Sequence, residues 1–409
     1  MAMFTTTNSS LIICLLILVL VSVLQLHNVQ SHPINRGFDA TGHIEYVSFI
    51  KTNKTLPLVV EGWEYYQPPL YYLIASVLPK IIDLKYLGFI MHIGILIIAY
   101  KIYRKLFNSQ TVSIALIGVV YCATLPVALF QSISIGNEFF SALLISLTML
   151  FYIVYYNESF YKCILLGILL GLSIEAKATA LVLVASICLD TLLSNSKLAT
   201  KVKGISLISL SAISFGGLHY IRNLVYFNNP LAAPNNFPKY FDFLQPIVPR
   251  SLEFFTTIKG FLTLDLFLSQ HYSFLAGTYF SWFYDGHNII VPVQEYSKSG
   301  IILFVMSIPL FIFILKGFVY SLLQWDKKSR IFVIYSILLF GAYIAYNFQL
   351  PYYSTVKGSF LVSLIIPSGY FLLRGILNLK KYLNQITFYY LIYSIILTRH
   401  FWILSWWYT

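Results

Sequence analysis

The sequence predicts an all-α polytopic membrane protein with about eleven transmembrane helices and two long extracytoplasmic loops. Three observations carry that expectation. Of the 409 residues, 58% are hydrophobic and 10% are charged, against about 25% charged in a soluble domain. Mean hydropathy is +0.76. Apolar runs of about 20 residues, long enough to cross a hydrocarbon core, recur along the whole chain. So little charge cannot coat a water-soluble globule of this size. That excludes a soluble enzyme, a disordered chain and a disulfide-built secreted domain.

The spans are expected at about 10–27, 86–103, 111–130, 138–156, 161–175, 178–194, 204–221, 300–320, 331–350, 358–379 and 386–406. The first has no Lys or Arg before it and no A-x-A-like site after Gln25, so it reads as an uncleaved signal anchor. The fifth and sixth are short and meet at Glu175-Ala176-Lys177. The chain is read as one domain over 1–409, without a separate soluble domain.

Basic residues set the orientation. Lys101, Arg104 and Lys105, then Lys197, Lys201 and Lys203, then Lys316, Lys327, Lys328 and Arg330, then Arg374, Lys380 and Lys381 fall in short loops on one side. By the positive-inside rule that side is cytoplasmic, together with the N-terminus. Loops 28–85 and 222–299 then lie outside a cell (inner) membrane. The net charge of +12 is explained by these clusters; they form no basic stripe for nucleic acid. Cys14, Cys122, Cys163 and Cys188 sit in apolar segments without metal-ligand spacing and read as apolar fillers.

The first outer loop holds the candidate chemistry. Asp39 and His43 are spaced i, i+4, which on a helix shares one face. Phe38, Ile44, Val47 and Ile50 supply an apolar face for lying on the membrane surface. Gln67-Pro68-Pro69 forces an extended turn before the next helix. By themselves these residues fit a solvated interfacial helix equally well. Two ligands do not define a metal site, so a divalent cation stays open.

Asp39-x-x-x-His43-x-x-Tyr46, then Leu56-Pro57, then Gln67-Pro68-Pro69-Leu70-Tyr71-Tyr72 resembles the first outer loop of GT-C superfamily glycosyltransferases. The branch it resembles is that of protein O-mannosyltransferases and lipid A aminoarabinose transferases. Further matches follow in order: Gly136-Asn137-Glu138, Glu175-Ala176-Lys177-Ala178-Thr179, Arg222-Asn223 with Asn229-Pro230-Leu231, Ser273-Phe274 with Gly277, and Lys357-Gly358-Ser359-Phe360. The resemblance implies a GT-C-like fold with interfacial helices in the outer loops. It also implies transfer of a sugar from a polyprenyl-phosphate donor to a lipid, glycan or protein acceptor, with inversion. No nucleotide-sugar pocket is then needed.

Such chemistry asks for one base near the anomeric carbon and for cations to hold the departing phosphate. Asp39 is the expected base. Lys177, Arg222 and Lys357 are the expected phosphate partners, Arg through bidentate bonding and Lys as a point charge. Each would otherwise be snorkelling to the interface, and Glu175 is a ready partner for Lys177. His43 is expected to orient Asp39 or to contact the sugar. Glu64, Gln67 and Glu138 are expected to line the pocket. His271 and Tyr272, and less so Asp285 and His287, are weaker candidates. Trp63, Tyr65 and Tyr66 read as interfacial anchors or sugar-stacking rings.

Two rival readings stand beside this one. A transporter or flippase of lipid-linked sugars should carry mid-membrane charges or an internal repeat, and the sequence has few of the first and none of the second. An O-antigen ligase or polymerase-like enzyme should carry a dense Arg and His set in its later loop, which 222–299 lacks.

Overall fold

The computed structural model describes residues 2–37, 39–107, 112–157, 159–237, 247–266, 268–284, 294–327 and 329–407. Phe38, Lys328, Asp285 and His287 therefore lie outside the described residues. Within them the chain is helical, and the one β-type pairing is an isolated bridge between Ile247 and Tyr352.

Eighteen α-helices run in order: α1 (Ala2–Ser31), α2 (Ala40–Asn53), α3 (Leu70–Ser76), α4 (Leu84–Leu106), α5 (Val112–Ala123), α6 (Pro126–Gln131), α7 (Glu138–Leu150), α8 (Phe160–Ala176) and α9 (Leu181–Leu192). Then come α10 (Leu198–Gly216), α11 (Leu218–Phe227), α12 (Leu252–Thr256), α13 (Lys259–Leu262), α14 (Phe274–Phe283), α15 (Gln294–Gln324), α16 (Arg330–Gln349), α17 (Ile365–Ile376) and α18 (Leu383–Trp407).

Among the described residues, seven helical stretches are long and apolar enough to cross a bilayer, against the eleven spans expected. The last of them, Tyr353–Trp402, is 50 residues long and takes in two of the expected spans. The other three expected spans are helical but short or broken. Residues 111–130 divide into α5 and α6, with Pro126 in the first turn of α6. The amide-less proline ring cannot continue the preceding helix. α8 is 17 residues long and α9 is 12.

Glycines set the closest helix crossings. Gly167 and Gly171 lie on the face of α8 that meets α10. A Cβ on Gly167 would stand 2.5 Å from the Ile208 carbonyl oxygen, and one on Gly171 2.8 Å from that of Ala212. This is the small-xxx-small packing that brings membrane helices together. At Gly317 and Gly375, a Cβ would collide with the backbone carbonyls of Phe371 and Phe313, so α15 and α17 touch backbone to backbone.

Glu138 opens α7, and Tyr152 lies about 20 Å further along at the helical rise. At that far end Arg330 is not the solvated member of a basic cluster that the sequence suggests. Its Nε donates to Asp190 Oδ1 at 2.6 Å, its Nη2 to the Asp190 carbonyl and its Nη1 to the Leu193 carbonyl. Tyr152 donates to the other carboxylate oxygen at 2.6 Å. Both charged side chains are 7% exposed. A buried pair is strongly destabilised when one member is removed, because the other charge is stranded. Arg330→Met should therefore destabilise the detergent-solubilised protein by about 3–5 kcal/mol in thermal unfolding. Adding Asp190→Leu should recover most of that loss; no recovery would rule out a stranded charge as the cause.

Candidate active site

α2 buries Ala40, Gly42, His43, Tyr46, Val47 and Ile50, a helical stripe that docks it against the bundle. His43 thus lies on the inward face. Asp39 does not share that face. It precedes the helix as its N-cap, exposed and in the left-handed region at φ 57, which Asp tolerates better than most residues. Trp63 fixes its carboxylate, donating from Nε1 to Oδ1 at 3.0 Å. The hydrogen bond to the Asp39 carboxylate thus comes from this indole and not from His43.

His43 meets other partners. Its Nδ1 is 2.7 Å from the Tyr72 hydroxyl and 3.8 Å from Glu64 Oε2. Burial pushes the His43 imidazole below its ordinary range, although the Glu138 and Asp39 carboxylates pull the other way. Burial, reinforced by the Asp39 and Glu138 charges, raises the Glu64 carboxyl well above its ordinary range, while the Gln67 hydrogen bond acts the other way. Both shifts favour neutral forms, so the 3.8 Å approach is a polar contact and not an ion pair.

Gln67 organises the loop's end. Its Nε2 donates to Glu64 Oε2 at 3.2 Å and to the Tyr66 hydroxyl at 2.9 Å. Its Oε1 accepts from Asn137 Nδ2 at 3.1 Å, and the same amide donates to the Ala176 carbonyl. The link from the start of α7 to the first loop is therefore made by Asn137, the N-cap residue before Glu138. Gly136 makes room for it. A Cβ there would lie 2.8 Å from Glu138 Oε2 and 3.4 Å from His43 Nε2.

Glu138 takes Lys177 as its partner, with Nζ 2.6 Å from Oε1. The expected partner of Lys177, Glu175, instead accepts from the backbone N–H of His219 at 3.1 Å. Lys177 and Lys357 occupy matching positions. Each is an extended residue immediately before a 3-10 turn that opens a helical segment, at 178–180 and 358–364. Both ammonium nitrogens face the ring of Phe360, at 5.9 and 5.0 Å from its centroid.

Asp39, His43, Glu138, Lys177 and Lys357 lie within electrostatic range of one another, and Glu64 joins them. Tyr346, from the end of α16, lies in the same range of Asp39, Glu64 and Glu138. Arg222 stands apart. Its Nη1 and Nη2 donate to the carbonyls of Pro57 and Leu56 at 2.8 and 2.9 Å. His219 Nε2 lies 3.0 Å from the Tyr66 carbonyl. α11 is thus a strut under the first loop. His271 stacks on Tyr353, and Tyr272 donates to Asp265. Among the described residues, no three His, Cys, Asp or Glu side chains form a metal-holding group. One oxygen of Glu138 is already taken by an ammonium.

Three solved structures of the Archaeoglobus fulgidus oligosaccharyltransferase are similar to the chain. The complex with Zn and sulfate has a TM-score of 0.53 at 13% identity, covering 93% of this chain and 53% of that one. The apo form has 0.52 at 14%, covering 96% and 55%. The form tethered by a disulfide to an acceptor peptide containing the NVT sequon has 0.50 at 14%, covering 95% and 54%. The chain spans about half the length of these structures, and the likeness is one of fold. It agrees with the all-α membrane architecture expected from the sequence. No family model and no curated protein matches the chain.

Two outcomes test this geometry. The raised Glu64 carboxyl stabilises the fold in its protonated form. That contribution is complete below the ordinary value of 4.5 and is lost as pH rises through the raised one. Glu64→Gln imitates the neutral acid, so its thermal stability should fall less steeply towards alkaline pH than that of the parent. Identical profiles would mean that Glu64 is ionised throughout. Arg222→Lys keeps the charge but loses the two-pronged fork, and should speed proteolysis between Lys54 and Tyr66; an unchanged cleavage rate would remove the strut.

Proposed function

We propose that this protein is a multi-pass membrane glycosyltransferase of the GT-C type. It moves a sugar from a polyprenyl-phosphate donor to a hydroxyl of a lipid, glycan or protein acceptor at the extracytoplasmic face. The observation that carries the reading is that the Asp39 and Glu138 carboxylates and the Lys177 ammonium all act electrostatically on Lys357, with Lys177 paired to Glu138. The fold shared with oligosaccharyltransferase supports it.

A lysine at the start of a helix is electrostatically unfavourable, because the helix N-terminus already carries partial positive charge. Two such lysines converge here around Phe360. Glu138 balances one of them; a phosphate diester would complete the balance, as anions do at helix N-termini. This is where the donor phosphate sits in our reading.

Asp39 then acts as base. One carboxylate oxygen is held by Trp63, and the other accepts the acceptor's hydroxyl proton. The acceptor oxygen attacks C1 of the sugar on the face opposite the phosphate. As that bond forms, the bond from C1 to the phosphate oxygen breaks, and its electron pair leaves on the polyprenyl phosphate. Attack from the opposite face inverts the anomeric centre. Lys177 and Lys357 hold the added charge, so no general acid is needed. The neutral Glu64, Gln67 and Tyr346 side chains are positioned to bond sugar hydroxyls, and His43 stands behind them on Tyr72. Arg222 contributes through the loop it supports.

Asp39→Asn should lower transfer by about 10²–10⁴-fold, the usual contribution of a general base, with expression and membrane insertion unchanged. The assay is transfer of a radiolabelled sugar from polyprenyl-phosphate donors in membranes that contain the protein. Full activity in that variant would sink the assignment of the base. Lys357→Ala should raise the donor concentration needed for half-maximal rate, and an unchanged requirement would remove the phosphate site.

A further inference from the structure

A second cationic place lies at the opposite end of the bundle. Tyr100, Lys101, Arg104 and Lys105 from the last turns of α4 face Leu150, Val154 and Tyr155 across a shallow cavity of about 540 Å³. That is within the ~300–1,000 Å³ of small-molecule sites. The lining holds three cations and no acid. None of the three takes a hydrogen-bond or ion-pair partner among the described residues.

The facing wall has an unusual backbone. Residues Phe151–Tyr155 form a π-helical turn, closed by a bond from the Tyr156 N–H to the Phe151 carbonyl at 2.9 Å. In an α-helix, residues four apart stack and a residue five apart swings away. The π turn, closed from i to i+5, brings Tyr155 over Leu150 as well. Leu150, Val154 and Tyr155 thus make one wall, apolar at its foot, with Tyr155 52% exposed. The arrangement is amphipathic: cations along one side and hydrocarbon along the other.

Helix-end lysines and arginines do balance the carbonyl end of α4, and clustered basic residues record orientation. Neither role requires an apolar wall opposite the charges. We infer that this groove seats an anionic phospholipid of the surrounding leaflet. Its phosphate lies on Lys101, Arg104 and Lys105, and its first chain carbons lie against Leu150 and Val154. Basic pockets between membrane helices bind such head groups in this way. Arg104 supplies the bidentate contact and the two lysines point charges. A soluble phosphate would gain nothing from the apolar wall, and a zwitterionic lipid would lose the net attraction. The inference is independent of the transferase reading, since no member of the Asp39 cluster lines the groove.

The test uses the full-length chain in mild detergent, with lipid retention read by native mass spectrometry. Phosphatidylglycerol should be retained at least about tenfold better than phosphatidylcholine. Arg104→Gln should reduce that preference severalfold. Val154→Trp keeps every charge, and therefore the orientation signal, but fills the groove; it should lower retention of phosphatidylglycerol. Lys316→Gln, a basic site elsewhere, should leave retention unchanged. Equal retention of the two lipids by the parent protein would overturn the inference. So would a preference unaltered in both groove variants, an equal loss in Lys316→Gln, or full displacement by glycerol 1-phosphate. Transfer activity with the lipid-phosphate donor is measured separately, so failure here leaves the active-site reading standing.

Discussion

A largely buried ammonium just before a helix is most stable beside an anion. In this protein that anion is Glu138. Its carboxylate holds Lys177 at 2.6 Å, in a place where both side chains are largely shielded from solvent and the attraction is weakly screened. Much of the loop end follows from that contact. Gly136 leaves space for Glu138 and His43, since a Cβ there would lie 2.8 Å from Glu138 Oε2 and 3.4 Å from His43 Nε2. Asn137, next in line, reaches Gln67 on one side and the Ala176 carbonyl on the other. The first loop, the start of α7 and the turn after α8 are thereby fastened at one point. Glu64 is buried beside two carboxylates, and burial, reinforced by those charges, favours its neutral form.

Which parts of this were legible in the sequence follows from what each residue type announces. Acids, lysines and the polar residues spaced among them announce themselves in the sequence, and Asp39, His43, Glu64, Glu138, Lys177 and Lys357 lie within electrostatic range in the fold, with Gln67 bonded to Glu64. Tyr346 carries no such signal, and Trp63 and Asn137 are visible in the sequence only as a ring and as part of a motif, not by the partners they hold. An indole or amide reads as anchor or filler until a partner stands within about 3 Å, and the partners of Asn137 are 70 and 39 residues away. Arg222 shows the converse. A guanidinium that could grip phosphate could equally grip two backbone carbonyls, and only the fold decides between them. The i, i+4 spacing of Asp39 and His43 failed as a guide because the helix begins one residue after Asp39.

The spans follow the same logic. Hydropathy registers how apolar a segment is, and each expected segment is helical. It does not register breaks. The division at Pro126 and the shortness of α8 and α9 come from local backbone chemistry and from packing against longer neighbours. Arg330 reads as a solvated charge in the sequence because a basic residue after an apolar run usually faces water. Its partner, Asp190, lies 140 residues earlier, and no local pattern links the two. The fold shared with oligosaccharyltransferase survives at 13–14% identity because layer packing constrains volume and polarity more than residue identity.

The strut from α11 also has a consequence in time. Arg222 holds carbonyls 165 and 166 positions earlier in the chain. A ribosome adds about 5–20 residues per second, so the loop bearing Asp39 emerges on the order of ten seconds before its support exists. Lys357 arrives later still. During biogenesis the half-made protein therefore carries its carboxylate on an unsupported loop, with no completed cation pair opposite. Among these groups the carboxylate is thus made first, its support later and the second lysine last.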